Sequence, residues 1–431
     1  MNPRVKLARA WAIAGKQQQA LRVCEEIVQA EPGCLPAWRL WSDLLVGLGR
    51  GAEAVPGYAR LLEADPGLEE VRWRLECCQD ELHDQSLVHQ PGGKVCLTGQ
   101  RRFAFHRSGW NFALEALKPL HHRQGTLFDG FLENNFAWKA QASSEQQRQL
   151  WKIQGIFDWS ASSQERGLIP YCRPWVGFLH NPHAMPAGYD DLARPQSLFA
   201  TDMWKESLEH CSGLFTLSSP LSRWVHEQTG KPVVTLTLPS EIPQVQFDPQ
   251  KFLDNPKRKV IQVGWWLRRL SSIFRLPIRQ GYQKIWLVPR LFQGSRDFLA
   301  GILQREGRIC WENTEAVEHL ENQHYDQWLS ENLVSVDLYD TAANCAVVEC
   351  IARATPLLVN RLEAVEEYLG PGYPLYFDNL AEAAEKAMDL SLVCKAHDYL
   401  KSSPTRARLS GKTFLRDFRQ SSIYQELEEN L

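Results

Sequence analysis

From residue 94 onward, short apolar runs alternate with longer segments in which apolar residues recur every three or four positions. Runs such as Val-Ile-Gln-Val and Ile-Trp-Leu-Val carry few polar side chains, which is typical of parallel strands covered on both faces. The pattern predicts two blocks of four strands each. The predicted strands are 94–98, 175–180, 213–217, 233–236, 259–264, 284–289, 333–338 and 356–359.

The first 85 residues have a different pattern, which is helical throughout and repeats. Gly15 recurs as Gly49, Ala20 as Ala54 and Pro32 as Pro66, each after 34 residues. Glycine suits the end of the first helix of a pair, alanine lets two helices approach closely, and proline stops the second helix. This period resembles that of the tetratricopeptide repeat. The resemblance implies a groove for a protein partner, or equally a segment for self-association or for capping the next domain.

A stretch rich in proline and charge, residues 239–259, separates the two strand blocks. Together with the helical repeat and the two strand blocks, this stretch predicts three parts: a helical segment at 1–85, a first α/β domain at 86–243 and a second α/β domain at 244–431. The fold class is then α/β, with two Rossmann-like domains facing across a cleft. Ligand sites of such folds lie at the carboxyl ends of the strands. Residues 413–427 read as an amphipathic helix that could pack back on the first domain.

Composition narrows the possible functions. The net charge is −3 and the sequence pI about 6.5, so bulk attraction to nucleic acid or acidic membranes is not indicated. No apolar run is long enough to span a membrane, and we expect no signal peptide. The eleven cysteines form no zinc-type pairs, which favours reduced thiols and a cytoplasmic location.

The stretch 334–359 places a carboxylate inside an apolar helix. A strand ends at Tyr339-Asp340, a turn of small residues leads to Asn344, and Glu349 lies about one and a half turns into the helix. A helix N-terminus reached through small residues favours an anion such as phosphate. A carboxylate that accepts two ribose hydroxyls would explain Glu349.

A glycine and two arginines follow the first strand of the second block, in Val-Gly264-Trp-Trp-Leu-Arg268-Arg269. In the first block, the strand at 175–180 runs into the polar loop His180-Asn-Pro-His183. His180 could act as a general base, since histidine titrates near neutral pH, or could simply pair with a carbonyl. Asp190 is a second candidate catalytic acid or base. A metal site formed by His180, His183 and Asp190 is a weaker interpretation than an acid–base role, and we expect no metal.

The segment 101–111 mixes aromatic and basic residues before a helix. Gly109 and Trp110 stand at the helix start, and we expect them to line the acceptor side of a cleft. Nucleic-acid binding is the alternative for such a mix. The pI below neutrality favours a sugar platform or plain packing instead.

These motifs resemble those of GT-B glycosyltransferases of the retaining group 1 type, over about residues 94–400. In that family a glutamate, followed by Gly-Thr-Pro, holds the donor ribose, a role that the resemblance gives to Glu349, which precedes Ala354-Thr-Pro. It places the backbone of Asn344 and Cys345 toward the donor diphosphate, and Gly264 with Arg268 or Arg269 beside it. The family's first glutamate corresponds to Thr341, a departure that leaves a retaining mechanism undecided.

The predicted function is therefore a metal-independent glycosyltransferase that moves a sugar from a UDP- or GDP-sugar to a glycan or protein acceptor, with no other cofactor. The main alternative is a non-catalytic adaptor, in which helical repeats bind a protein and the α/β halves are a degenerate scaffold. A GT-B epimerase or phosphorylase is a third reading. The absence of an evident pyridoxal-phosphate lysine motif disfavours the phosphorylase.

Overall fold

The structure, a computed structural model, describes residues 2–100, 109–139, 170–278, 281–288, 293–307, 309, 311, 313–318 and 320–428. The basic and aromatic part of the predicted acceptor segment, residues 101–108, lies outside the described residues. The ten cysteines that fall within these ranges are free thiols. Nowhere in the described ranges does a helix combine the length and apolar character that crossing a membrane would require.

The chain begins with five consecutive helices, each packed against the next one. Gly15 and Gly49 connect two pairs of these helices with positive φ angles of 75° and 72°. Ala20 and Ala54 are fully buried between helices. The helical character of this segment is as expected, while its assignment to the tetratricopeptide repeat stays a prediction. The helices are α1 (Pro3–Ile13), α2 (Gln17–Ala30), α3 (Leu35–Gly47), α4 (Gly51–Ala64) and α5 (Glu69–Ser86).

The first sheet has five parallel strands that follow one another in chain order. Its strands are β1 (Val95–Cys96), β2 (Thr126–Asp129), β3 (Trp175–Leu179), β4 (Cys211–Thr216) and β5 (Val233–Thr235). The helices of this lobe are α6 (Trp110–Leu117), α7 (Pro195–Ala200), α8 (Asp202–Glu209) and α9 (Ser219–Thr229). We call this part the first lobe. All five residues of β3 are buried, as expected for a strand covered on both faces.

The second sheet has six parallel strands, ordered β11-β10-β9-β6-β7-β8. Its strands are β6 (Arg258–Val263), β7 (Tyr282–Val288), β8 (Thr314–Glu318), β9 (Leu333–Val336), β10 (Leu357–Asn360) and β11 (Tyr376–Phe377). The helices around it are α10 (Pro249–Asp254), α11 (Ser272–Arg275), α12 (Gln293–Glu306), α13 (Asn322–Glu331), α14 (Cys345–Arg353), α15 (Glu363–Leu369), α16 (Leu380–Met388) and α17 (Leu390–Lys401). We call this part the second lobe.

The strand order of the second sheet reverses between β6 and β9. Chain order runs one way through β6, β7 and β8 and the other way through β9, β10 and β11. The loops after β6 and β9 therefore diverge to opposite sides, which opens a crevice at the carboxyl ends of these two strands. The motifs around Gly264 and Asn344 follow these two strands, so the topology brings them together.

The chain ends with three helices, α18 (Pro404–Arg408), α19 (Gly411–Gln420) and α20 (Ser422–Glu426). Helix α19 packs on α6, and α20 packs on β4 and β5. The ring of Phe418 stacks on that of Phe215 with centroids 4.7 Å apart. A Cβ on Gly213 would lie 2.7 Å from the side chain of Ile423, so a glycine in β4 is what admits α20. The last helices thus join the second lobe's chain to the first lobe.

The predicted α/β class is confirmed, with two parallel-sheet domains preceded by helices. The lobes also touch away from the crevice. The Tyr368 hydroxyl of the second lobe donates to the carbonyl of Leu217 at 2.8 Å and accepts from the amide of Leu238 at 2.9 Å. The domain boundaries at 85/86 and 243/244 stay predictions. The first falls within the last two residues of α5, and the second falls between β5 and α10.

Candidate functional site

Arg268 occupies the centre of the crevice and is only 7% exposed. Its Nη1 donates to the carbonyl of Trp266 at 2.7 Å, and its Nη2 donates to Oδ1 of Asn344 at 3.2 Å. Its Nε is buried and has no hydrogen-bond partner in the described part of the chain. Within those same ranges, no carboxylate lies at ion-pair distance from this guanidinium.

Burial lowers the pKa of Arg268 from its ordinary value, because a low-dielectric environment disfavours the charged form. A buried charge in a protein is normally paired, since its desolvation costs several kcal/mol. In the described part of the chain, the hydrogen-bond partners of Arg268 are two neutral oxygens. The second lobe therefore presents a positive charge that an anion would complete.

The backbone before Arg268 is shaped for this placement. Gly264 has a φ of +76°, and a Cβ there would lie 3.1 Å from the guanidinium carbon of Arg268. Leu267 adopts a φ of +56° in the left-handed region, which is rare for a bulky residue. Such a conformation costs about 1–3 kcal/mol and persists only where its surroundings hold it. The left-handed conformations of Gly264 and Leu267 turn the chain so that the guanidinium of Arg268 lies against Gly264.

Asn344 begins α14 and links it to Arg268. Its Oδ1 accepts from the amides of Ala346 and Val347 at 3.0 and 3.3 Å, as well as from Arg268. These two amides of the helix N-terminus are thus used internally, which leaves fewer donors for a ligand than the sequence suggested. Cys345 lies beside them, and burial raises the pKa of its thiol to about 11, so it stays a neutral thiol.

Glu349 lies on α14 with a side chain that is 13% exposed. Its Oε2 accepts a short hydrogen bond from the hydroxyl of Tyr325, and lies 4.0 Å from Nη1 of Arg353. Arg353 is itself neutralised by Asp326 at 2.6 Å. The carboxylate is therefore part of a polar network inside the lobe, and it is near enough to Arg268 to favour the charged form of that arginine.

The side chain of Arg269 points away from the crevice that holds Arg268. It forms an ion pair with Asp337 at 2.8 Å and donates to the carbonyl of Leu338 at 2.7 Å. Its side chain is 42% exposed and its guanidinium lies 4.9 Å from the centroid of the Tyr339 ring. With Arg361 it lines a separate cavity of about 390 Å³ beyond β9 and β10. The two adjacent arginines thus face different surroundings.

The first lobe brings Gly109 and Trp110 to the same crevice. Gly109 precedes α6 with a φ of +77°, and a Cβ there would lie 3.1 Å from the Cys345 sulfur of the second lobe. The Trp110 ring is buried and packs edge-on against His180, with centroids 4.6 Å apart. The predicted acceptor-side residues therefore lie opposite the tip of α14.

His180 follows β3 and is half-buried in this wall. Its Nε2 lies 2.8 Å from the carbonyl of Gly130, and because a carbonyl only accepts, this nitrogen carries the proton. Nδ1 then holds the lone pair. Burial lowers the pKa of His180 to about 4, so its ring is neutral at physiological pH. A neutral imidazole can accept a hydrogen bond from a hydroxyl, although so low a pKa makes it a weak base.

Glu133 is a buried acid that belongs to none of the motifs in the sequence. Its Oε1 accepts from the amides of His180 and Asn181 at 2.7 and 2.5 Å, and its Oε2 has no hydrogen-bond partner in the ranges that the structure describes. Burial raises the pKa of this carboxyl to about 7. The sequence could have indicated Glu133 through its position four residues after β2, but the apolar pattern did not predict that strand. Glu133 holds the backbone that presents His180.

Asp190 lies in the loop between β3 and α7. Its Oδ1 accepts from the amide of Ala193 at 3.1 Å, an arrangement that closes the loop. The next residue, Asp191, accepts from the amide of Gly188 at 2.9 Å. These contacts give Asp190 a structural role in the loop. Its predicted part in catalysis stays a prediction.

A cavity of about 360 Å³ lies between the two lobes, beside this site. His183 and Trp224 of the first lobe line it, and their rings stack 5.2 Å apart. From the second lobe come Asp340 and Thr341, the positions where the sequence departs from the GT-B pattern. Asp340 accepts from the amide of Ala184 at 3.1 Å, so the acid next to the expected position faces the opposite lobe.

No protein-family model and no curated protein matches this chain. Solved structures do match. A sucrose-phosphate synthase from Thermosynechococcus elongatus is 12% identical, with 70% of this chain and 73% of that chain covered and a TM-score of 0.48. HepE of Anabaena in complex with UDP and glucose is 13% identical, with 61% and 73% covered and a TM-score of 0.46.

A third match is an α,α-trehalose-phosphate synthase (UDP-forming) from Burkholderia xenovorans in complex with glucose-6-phosphate. It is 13% identical, with 72% of this chain and 76% of that chain covered and a TM-score of 0.42. With such identities and TM-scores below 0.5, these similarities determine neither the activity nor the substrate of this chain.

Proposed function

We propose that this protein is a glycosyltransferase that uses a UDP- or GDP-sugar and transfers the sugar to a hydroxyl of a glycan or protein acceptor. One observation carries the proposal. Arg268 is a buried guanidinium without a carboxylate partner among the residues that the structure describes, at the point where the strand order of the second sheet reverses. A diphosphate is an anion of the size and charge that such a position favours.

The proposed reaction breaks the bond between the anomeric carbon and the diphosphate oxygen, and forms a bond from that carbon to the acceptor oxygen. The nucleoside diphosphate leaves with the bonding electrons, and the proton of the acceptor hydroxyl passes to an oxygen of the departing diphosphate or to solvent. Arg268 stabilises the negative charge that develops on the leaving diphosphate. This gives the protein's own cation the role that a metal ion has in other transferases, so we propose a metal-independent reaction.

Glu349 is proposed to hold the donor ribose. Its side chain is 13% exposed, and its Oε2 accepts from the Tyr325 hydroxyl. Two ribose hydroxyls could donate to this carboxylate. Gly264, Asn344 and Cys345 are proposed to surround the diphosphate, with Gly264 giving it close access to the backbone.

The acceptor is proposed to enter between Gly109 and His180. The neutral ring of His180, with the lone pair on Nδ1, would accept a hydrogen bond from the attacking hydroxyl and orient it. We propose this orienting role in place of a strong general base, because the pKa of the ring is about 4. Asp190 would stabilise the loop after His180 through its hydrogen bond with the amide of Ala193.

Isothermal titration of UDP and of GDP into the wild-type protein and the Arg268→Gln variant tests the proposal. We expect at least one of the two nucleotides to bind, and its affinity to fall about 100-fold in the variant. A hydrogen bond to a charged group contributes about 1.5–3 kcal/mol, and about 2.7 kcal/mol corresponds to that factor.

Arg50→Gln is the matched control. Arg50 loses the same charge, but it pairs with Glu53 in the N-terminal helices and is 40% exposed. The affinity of the Arg50→Gln variant for the nucleotide should equal that of the wild type. Failure of both UDP and GDP to bind, or equal losses in the two variants, would contradict the proposal and favour an adaptor.

A further inference from the structure

The loop that carries Arg268 belongs to the second lobe, yet residues of the first lobe hold it. The hydroxyl of Tyr189 accepts from the amide of Leu267 at 2.6 Å and donates to the carbonyl of Trp265 at 3.1 Å. Tyr189 is 5% exposed. One side chain from the opposite lobe thus satisfies both a donor and an acceptor of this loop.

These two hydrogen bonds fall at the strained position. Leu267 has a φ of +56°, which its Cβ disfavours. Its carbonyl accepts from the amide of Tyr339 at 3.0 Å, so the peptide units on both sides of Leu267 are fixed. Arg268 follows directly and its own amide donates to the carbonyl of Trp265 at 3.2 Å. Without the tyrosine hydroxyl, the amide of Leu267 would be a buried donor without a partner.

A second contact from the first lobe acts on the same loop. Oδ1 of Asn181 accepts from the indole nitrogen of Trp266 at 3.2 Å, and the carbonyl of Trp266 accepts from Arg268 at 2.7 Å. Asn181 is 3% exposed, and Glu133 holds its amide at 2.5 Å. The segment that presents His180 therefore also orients the residue that the guanidinium donates to.

We infer that Tyr189 is a positioning residue for Arg268: it holds Leu267 in its left-handed conformation and so aims the guanidinium into the anion site. The inference rests on the proposed function and adds a dependence between the lobes. Affinity of the second lobe for a nucleoside diphosphate is set in part by a residue that does not touch the nucleotide. A chain whose first lobe is displaced would hold the same arginine in a less ordered loop and bind the diphosphate more weakly.

The test is a double-mutant cycle with Tyr189→Phe and Arg268→Gln, with titration of UDP, GDP and the nucleosides uridine and guanosine. Tyr189→Phe keeps the ring and removes only the hydroxyl. We expect it to weaken binding of the nucleoside diphosphate about tenfold and to leave binding of the matching nucleoside unchanged. In the double variant the affinity should equal that of Arg268→Gln alone, because the tyrosine acts through the arginine.

Tyr282→Phe is the matched control. Tyr282 is also a buried tyrosine of 8% exposure whose hydroxyl donates to a carbonyl, that of Ala387 at 2.8 Å, but it does not contact the loop. It should bind the nucleotide as the wild type does. Trp266→Phe, which removes the hydrogen bond to Asn181, should act in the same direction as Tyr189→Phe and serves if that variant does not fold.

The outcomes separate the two proposals. If Arg268→Gln weakens diphosphate binding but Tyr189→Phe does not, the positioning inference fails and the proposed function stands. Additive losses in the double variant, or an equal loss in Tyr282→Phe, also overturn the inference. If none of the chains binds UDP or GDP, both the inference and the proposed function fail.

Discussion

The two lobes treat buried ionisable groups in opposite ways at the ends of their strands. The second lobe buries the guanidinium of Arg268 with only neutral hydrogen-bond partners among the described residues, whereas the first lobe holds Glu133 and His180 in conditions that favour their uncharged forms. An unpaired charge suits the binding of an anion. Uncharged groups with shifted pKa values suit the orientation of a hydroxyl. The difference indicates that donor binding and acceptor handling are divided between the lobes.

The largest effect that tests this division concerns stability and pH. The pKa of Glu133 is raised from 4.5 to about 7, so its contribution to stability is complete below pH 4.5 and is lost as the pH rises through 7. Glu133→Gln keeps the acceptor oxygen without titrating. Between pH 4.5 and 8 we expect the variant to gain roughly 3 kcal/mol in unfolding free energy over the wild type, measured by urea denaturation.

His180 acts with the opposite sign, because its pKa is lowered from 6.5 to about 4. Its neutral form stabilises the fold above pH 6.5, and that contribution is lost as the pH falls toward 4. This effect is common to the wild type and Glu133→Gln, so the difference between the two chains isolates Glu133. Parallel stability curves from pH 5 to 8 would show that the environment of Glu133 is not as we describe it.

The next prediction separates binding from chemistry. His180→Ala should lower kcat about 100-fold, because the attacking hydroxyl loses the group that orients it. The donor Kd should stay within about threefold, because the contacts of the His180 ring among the described residues do not include the loop of Arg268. Steady-state kinetics and titration with the nucleoside diphosphate measure the two quantities. A large loss of donor affinity with unchanged kcat would reverse the division between the lobes.

A smaller effect is expected at the proposed ribose site. Glu349→Ala should raise the donor dissociation constant about tenfold, which corresponds to about 1.4 kcal/mol. Tyr325→Phe is the control, because it removes the hydrogen bond to Glu349 while the carboxylate remains. We expect that variant to bind the donor within about threefold of the wild type. Equal losses in both would mean that the network, and not a ribose contact, explains Glu349.

The smallest effect should come from the neighbour of Arg268. Arg269→Gln breaks an ion pair with Asp337 but leaves the crevice unchanged, so we expect donor affinity within about threefold of the wild type. Titration with the nucleoside diphosphate checks this. A loss as large as that in Arg268→Gln would place the diphosphate in the cavity of Arg269 instead.

Much of the fold followed from the apolar runs. The strands that are buried on both faces, such as β3, β6 and β9, were predicted within about two residues of their ends. Three strands were missed, for physical reasons. Strand β8 has the sequence Thr-Glu-Ala-Val-Glu and lies at a sheet edge with largely exposed side chains, so it carries no apolar run. Strand β2, Thr-Leu-Phe-Asp, has a polar residue at each end and only two apolar residues between them, and β11 consists of Tyr-Phe alone.

The candidate site was predictable in part. Gly264, Arg268 and Asn344 were found because glycine, a cation and a helix start each leave a local pattern, and the structure brings them together at one crevice. The difference between Arg268 and Arg269 could not be predicted, since two adjacent arginines look alike until the register of β6 against β9 is known. Glu133 and Tyr189 depend on contacts between distant segments, and a single sequence does not show these.

Turnover of nucleotide sugars tests the central claim most directly. The wild-type protein and Arg268→Gln are incubated with a panel of UDP- and GDP-sugars, and released nucleoside diphosphate is measured. We predict that the wild type consumes at least one of these sugars, even if only by slow hydrolysis without an acceptor, and that the variant does not. A wild-type protein that neither binds nor consumes any of them would contradict the account.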